Sequence, residues 1–369
     1  MQTKADLEAI ERLNRDMRMA SSRLADEEVR YLVDAYYDIQ EQRKAFDHRS
    51  LQLSERGTPT VLMSWLADQA RTLEANIKKA LDNYTDGTEV GSRIKAIPGI
   101  GPITAAGLLA YIDITRAPTA GHVWSYAGLE GTKVWTNKRE VNKVLSSYRQ
   151  TEADDWTAFV KTCRALGRRP GQILAATGHI PEEPDAEAAK HHLGAGTYPQ
   201  ISFAADNLFW HVGATYEEMG RFYGVERLDF DKIATFLSRR PHNAKLKTLC
   251  WLLGESFVKV RNREGDVYGT LIADRKAYEQ QQNDAGAYAD LAADKLRRYN
   301  IGRGTEAYKW YSAGKLPPAH IQERAKRWGV KMFLSHVHEL WYELEYGERP
   351  VEPYALAQLG HTHKVERPF

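Results

Sequence analysis

Residues 93–109 read Arg93-Ile94-Lys95-Ala96-Ile97-Pro98-Gly99-Ile100-Gly101-Pro102-Ile103-Thr104-Ala105-Ala106-Gly107-Leu108-Leu109. One helix is expected to end near Ala96 and a second to begin at Pro102, because a first-turn proline gives up an N–H that would lack a partner anyway. Gly99 and Gly101 supply backbone freedom between the two helices and remove side chains that would block a close approach. Ile97 and Ile100 are the apolar pegs expected to fasten the helices together. The string is a helix-hairpin-helix.

The unpaired amides near Gly99, Ile100 and Gly101 and at the start of the second helix point toward one place. Together with the positive end of the helix dipole they make a preformed anion site. Thr104 would add a hydroxyl and Lys95 a charge. Such a site fits a backbone phosphate and carries no base-sequence information, so duplex DNA is the expected partner. The bland alternative is a Gly-x-Gly turn that only packs two helices. Base-excision glycosylases carry a hairpin of this type and flip their target base, but they need a carboxylate about twenty residues beyond it. Here that place reads Ala120-Gly121-His122-Val123, and Asp113 comes too early. The glycosylase chemistry is missing.

Outside the hairpin, composition sets limits. The chain has 369 residues, 43% hydrophobic and 27% charged, and a formal net charge of only +2. It is long enough for two or three folded domains, and a polyanion-binding surface has to come from local segregation of charge. Residues 131–180 carry nine Lys/Arg against four acids, and residues 231–262 carry seven against two. Two cysteines, Cys163 and Cys250, make no disulfide framework, which suits a reducing cytoplasm. The charged N-terminus does not read as a signal peptide, and no apolar run reaches the ~20 residues of a membrane span. A cytoplasmic, nucleoid-associated protein without membrane contact is expected.

The class is mostly α. Residues 1–85 read as three helices forming a helical arm or coiled coil, with Val29, Leu32, Tyr36, Ile39 and Phe46 in phase in the second. In the third, Leu62, Leu66, Ala70, Leu73, Ile77 and Leu81 do the same, after a turn at Arg56–Pro59. Residues 86–136 hold the helix-hairpin-helix core, residues 137–240 an inserted, partly basic helical subdomain, and residues 241–369 a C-terminal helical domain with an extended tail. Lys133–Thr136 and Gln200–Phe203 are candidates for short strands.

Residues 60–136 resemble the C-terminal transposase domain of the bridge-RNA-guided insertion-sequence family. The pieces that match are the helix Leu73–Tyr84, the hairpin Ile97–Ala105 and the later Ala127-Gly128-Leu129. A second match is Asn243-Ala244-Lys245-Leu246-Lys247, an asparagine followed by a basic helix. The resemblance implies DNA binding, and it places the family's nucleophilic serine at Thr136. Family members carry a nuclease domain before the coiled coil, for which these first sixty or so residues leave no room. Roughly a hundred residues separate Thr136 from Asn243. A domesticated or phage-type relative with an inserted subdomain is therefore expected, working as a homo-oligomer, with RNA as a further candidate partner.

If the chain is an enzyme, it is a strand-exchange recombinase using Thr136 or a base-modifying transferase. Lys138, Arg139, Asn243 and Lys247 would then offset charge at the reacting group, and Mg2+ would assist. No resident cofactor is expected. A third reading is a protein-interaction scaffold built on the N-terminal helices. In residues 320–346, Val330, Phe333, Leu334, Val337, Leu340, Trp341 and Leu344 fall on one arc of a helix. Arg324, Arg327, Lys331, Ser335, His338 and Tyr342 fall on another, which fits a phosphate backbone or an ordinary solvated face. His336-x-His338, His191-His192 and His361-x-His363 do not have the spacing of a chelating pair on one helix face.

Overall fold

A computed structural model describes residues 19–130, 135–181, 216–351 and 365–369. The chain is mostly α-helical, and no strand occurs among the described residues. Residues 133–134, 182–185, 191–196, 200–203 and 361–363, on which several sequence expectations rest, lie outside the described residues, as does most of the first expected helix. Trp135 and Thr136 are not in a strand. No helix of the described residues is long and apolar enough to cross a membrane.

The chain divides into two compact units, Met1–Gly131 with His242–Phe369, and Thr132–Pro241. In the first, α1 (Asp26–Glu55) and α2 (Val61–Asp86) form a helical hairpin. At 1.5 Å per residue α1 is about 45 Å long. The turn between them uses Gly57 at φ +70°. Charge holds the pair together across the arm: Arg43 donates to Glu74 at 2.5 Å and Arg71 to Asp47 at 2.5 Å. Only the inner end of α1 reaches the core, through Val29 and Val33. Leu51, Val61 and Leu62 at the outer end stay exposed.

The hub of this unit is α4 (Pro102–Tyr111), which follows α3 (Glu89–Lys95). Its sequence, PITAAGLLAY, is apolar nearly all round, and a helix of that kind has to be enclosed. Every residue from Ala105 to Tyr111 is buried, and Ile103 with them. Helices α1, α2, α3 and α11 (Ala244–Val260) pack around it. Arg30 of α1 donates to the Ala110 carbonyl at 2.6 Å near the helix end.

Further along lie α5 (Ala120–Tyr126), α12 (Tyr268–Asp284), α13 (Ala289–Arg298), α14 (Glu306–Ser312) and α15 (Pro318–Tyr346). Val330, Phe333, Leu334, Val337 and Leu340 of α15 join the same core as Ile97, Ile100 and Leu108. Leu344, expected on that arc, is 41% exposed, since the helix has run past the core by then. The arm's base, the hairpin and the C-terminal helices thus share one hydrophobic interior.

The second unit contains α6 (Lys138–Thr151), α7 (Asp155–Ala165), α8 (Pro170–Ala176), α9 (Tyr216–Phe222) and α10 (Phe230–Leu237). It has a separate core of Val141, Phe159, Cys163, Leu174, Ile233 and Leu237. Cys163 lies in α7 and Cys250 in α11, both buried free thiols.

Candidate nucleic-acid interface

The hairpin forms as its residue types require. Thr88 caps α3 by accepting from the Gly91 amide at 3.0 Å, one of the donors that a helix start leaves unpaired. After α3 the chain tightens, with Ile97 N–H donating to Ile94 O and Ile100 N–H to Ile97 O, both at 3.1 Å. Gly99 sits at φ +92°, which disfavours any residue with a Cβ. Gly101 has an ordinary extended backbone, φ −101° and ψ 173°. Freedom of angle is therefore needed at Gly99 only.

A methyl group on Gly101 would meet nothing within 4 Å, whereas one on Gly99 would stand 3.1 Å from Val260 and 3.2 Å from Ser256. Ser256 Oγ also donates to the Gly99 carbonyl at 2.5 Å. The turn is braced from α11 on the Gly99 side and open to solvent on the Gly101 side. Ile97 and Ile100, each 7% exposed, are the buried pegs. Inside α4 the first bond is Ala105 N–H to Gly101 O, 3.0 Å. Among the described residues, the amides of Gly101, Ile103 and Thr104 make no hydrogen bond. Three donors and a dipole end therefore flank an open side of the turn.

The charge around this turn is not where the hairpin string put it. Lys95 bonds to Asp82 at 2.6 Å and also to Asp86. Burial works against its charge, and the two carboxylates outweigh that and hold it protonated. Asp82 also takes Lys79 at 3.2 Å, so two acids balance two ammonium groups and the Lys95 cluster adds no net positive charge. Thr104 is half-buried, and its hydroxyl lies against that of Tyr37.

The cations come from the end of α11 and its connector to α12, partly within the basic run 231–262. Lys259, Arg261 and Arg263 are exposed there, and none makes an ion pair with a described residue. The connector sits against the hairpin: a methyl on Gly265 would touch Pro98 Cγ at 3.4 Å, and Val260 lies beside Gly99. It is also tightly bonded. Asp266 accepts from the amides of Asn262 (3.3 Å) and Gly269 (2.8 Å) and from Thr270 Oγ1 (3.1 Å). Asn262 takes the left-handed conformation, φ 69°, one of the few non-glycine types that does so cheaply. The run of charge in 231–262 was legible, but its position beside the hairpin was not, because about 160 residues separate the two in the chain.

Asn243 caps α11, its Oδ1 accepting from the amides of Lys245 (2.9 Å) and Leu246 (3.0 Å). Its own N–H donates to the Tyr126 carbonyl at 2.8 Å, and its Nδ2 to the Tyr126 hydroxyl at 3.0 Å. These bonds join α11 to α5. Lys247 is exposed on α11. Arg324 donates to Glu279 at 2.7 Å, and Lys331 lies over the Trp124 ring at 5.0 Å, its charge disfavoured by burial. Only Arg327 of that trio remains exposed. The arc expected to be a solvated cationic face is largely packed: His338 is 3% exposed and donates from Nε2 to the Ala117 carbonyl at 2.6 Å. His336 donates to the Val365 carbonyl at 2.8 Å and accepts from the Tyr268 hydroxyl at 2.7 Å. Both rings are committed to protein partners, and burial holds both neutral. Among the described residues no three His, Cys, Asp or Glu side chains are grouped to hold a metal ion.

Thr136, Lys138 and Arg139 belong to the second unit. Thr136 is half-buried just before Asn137, which caps α6 by accepting from the Glu140 amide at 3.0 Å. No described residue hydrogen-bonds to the Thr136 hydroxyl. Lys138 bonds to Asp231 (2.9 Å) and Thr235 (2.8 Å). Arg139 is exposed and free of ion pairs among the described residues. Of the expected site residues, then, Gly101 and Thr104 stand at the open side of the turn, while Gly99 is braced by α11 and Ile100 is buried with its amide bonded to Ile97.

No curated protein and no solved structure matches this chain. Residues 91–149 match the model of the Transposase IS116/IS110/IS902 family. The match takes in all but the first two residues of α3, together with the turn and α4, so the stretch that builds the open turn is transposase-related.

Proposed function

We propose that this chain is a DNA-binding protein of mobile-element or phage origin that holds the phosphate backbone of duplex DNA with its helix-hairpin-helix. The observation that carries the reading is the open side of the Gly99–Thr104 turn. There the unbonded amides of Gly101, Ile103 and Thr104 stand at the positive end of a buried helix, within the transposase-related stretch. Backbone donors in a fixed array suit a phosphate oxygen better than a flexible lysine, since little ordering is left to do on binding. Arg261 and Arg263 would add charge-assisted contacts to the neighbouring phosphates. Binding of this kind is weakly sequence-specific and strongly salt-dependent.

Gly101→Val provides the test, because the new side chain projects into open space and leaves the braced Gly99 side untouched. The expected result is an unchanged circular-dichroism melt with duplex affinity reduced about tenfold or more, measured by fluorescence anisotropy, the size of one or two lost charge-assisted bonds. In Arg261→Gln/Arg263→Gln the slope of log K against log salt should fall by about two. Undiminished duplex binding by Gly101→Val would show that the turn only packs two helices.

A further inference from the structure

We propose that the last turn of α13 and the connector that joins it to α14, residues 295–303, form a second nucleic-acid site that takes a single strand and stacks an unpaired base on Tyr299. The site is separate from the hairpin and does not depend on it. Lys295, Arg297, Arg298 and Arg303 put four cations in nine residues with no acid among them. Asp294 is shared by Arg297 and Arg298, whose side chains remain 76% and 62% exposed. Arg303 is exposed and makes no ion pair with a described residue. Tyr299 is 57% exposed, with Lys295 Nζ 4.9 Å from its ring centre.

Lys295 also acts on His320 of α15. Burial, followed by Lys295, Arg324 and Arg327, pushes the His320 imidazole down to about 4. The opposing acid, Glu279, is already engaged by Arg275, Arg324 and Tyr288. The histidine is therefore neutral at pH 7 and adds no charge of its own.

The connector is not a loose tail. Ala292, Leu316 and Ile321 form a small core beneath it. Asn283 of α12 bonds the Leu316 backbone twice, at 3.0 and 2.8 Å. Ile301 N–H donates to the Tyr299 carbonyl at 2.9 Å, and Thr305 Oγ1 to the Gly302 carbonyl at 2.8 Å. The dipole of α13 accounts for cations in its last turn. It does not account for Arg303, which lies beyond the helix end, or for a tyrosine left exposed between Arg298 and Arg303 in the chain. A duplex hides its base faces in the stack, so an exposed ring has nothing to pair with there. A single strand offers both phosphates for the cations and a π face for the tyrosine.

The test uses the full chain, a labelled oligothymidine of about 20 nucleotides and a duplex of the same length. Tyr299→Ala should weaken oligothymidine binding roughly fivefold or more, the alanine cost of one stacked base, and leave duplex binding unchanged. Tyr299→Phe, which keeps the ring, should bind both probes as the parent does. Arg298→Gln/Arg303→Gln should lower the single-strand salt slope by about 1.4. Gly101→Val should show the opposite pattern, losing duplex and keeping oligothymidine, so the two sites fail separately. The proposal is overturned if the parent does not bind oligothymidine, if Tyr299→Ala binds it normally, or if that variant loses both probes equally.

Discussion

Gly99 and Gly101 stand two positions apart in one turn, and the chain needs them for unlike reasons. Gly99 satisfies a left-handed backbone pressed against α11; Gly101 keeps ground clear in front of three donors. A third glycine shows the cost of close approach. A methyl on Gly91 would lie 2.4 Å from the Thr85 carbonyl and 2.6 Å from Thr88 Oγ1, the atom that caps α3. Gly91→Ala should therefore destabilise the protein by about 1–3 kcal/mol, the usual range for overpacking, read from the urea midpoint. A midpoint equal to the parent's would mean that α3 is not seated as described. Lys95 makes the complementary point: a residue type suited to phosphate has its charge absorbed by Asp82 and Asp86 before any ligand arrives.

Helix α15 shows how an element can mislead. A helical wheel separates one apolar arc from one cationic arc, but α15 runs through the middle of its unit, and α5, α11 and α12 pack on it from several sides. His336 and His338 are consequently buried neutral, and His320 nearer its start is held neutral as well. Their folded pKa values lie below the ~6.5 of an exposed histidine. The unfolded chain thus binds more protons as pH falls below that value, and stability drops with it. For His320 the loss runs from about 6.5 down to about 4. Glu279, 2% exposed, adds to the same trend at lower pH. Burial alone would raise its pKa; bonds from Arg324, Tyr288 and Arg275 outweigh that and depress it, so its contribution is present above the normal carboxyl range and lost as acid protonates it. The melting temperature should fall steadily from pH 7 to pH 4, and His320→Asn should flatten the part of that curve above pH 4. A melt independent of pH between 4 and 7 would contradict the buried neutral histidines.

The two cores share no residue, and each contains one cysteine. Burial pushes both thiols up to about 12, so neither reacts readily while its unit is closed. Each thiol is a reporter for one unit. In Cys163→Ala the remaining thiol reads the first unit, and in Cys250→Ala it reads the second. Under increasing urea, reaction with a thiol reagent should begin at different concentrations in the two variants, as expected of units with separate interiors. Coincident onset would show that the chain opens as one cooperative body.

The periodicity of apolar residues was enough to make this chain mostly helical and to set α2 and α15 close to their true ends, and glycine and proline placement picked out Ile97, Gly99, Ile100, Gly101 and Pro102 as a turn between helices. Those features are written within a few residues of one another, and local sterics enforce them wherever the segment lies. The sharing of one core by the arm, the hairpin and the C-terminal helices was not written in any window, nor was the capture of Lys95 by two aspartates or the seating of Arg261 and Arg263 beside Pro98. Each of those depends on groups far apart along the chain meeting in space. Charge and burial act through distance rather than sequence separation, and packing alone sets the distances.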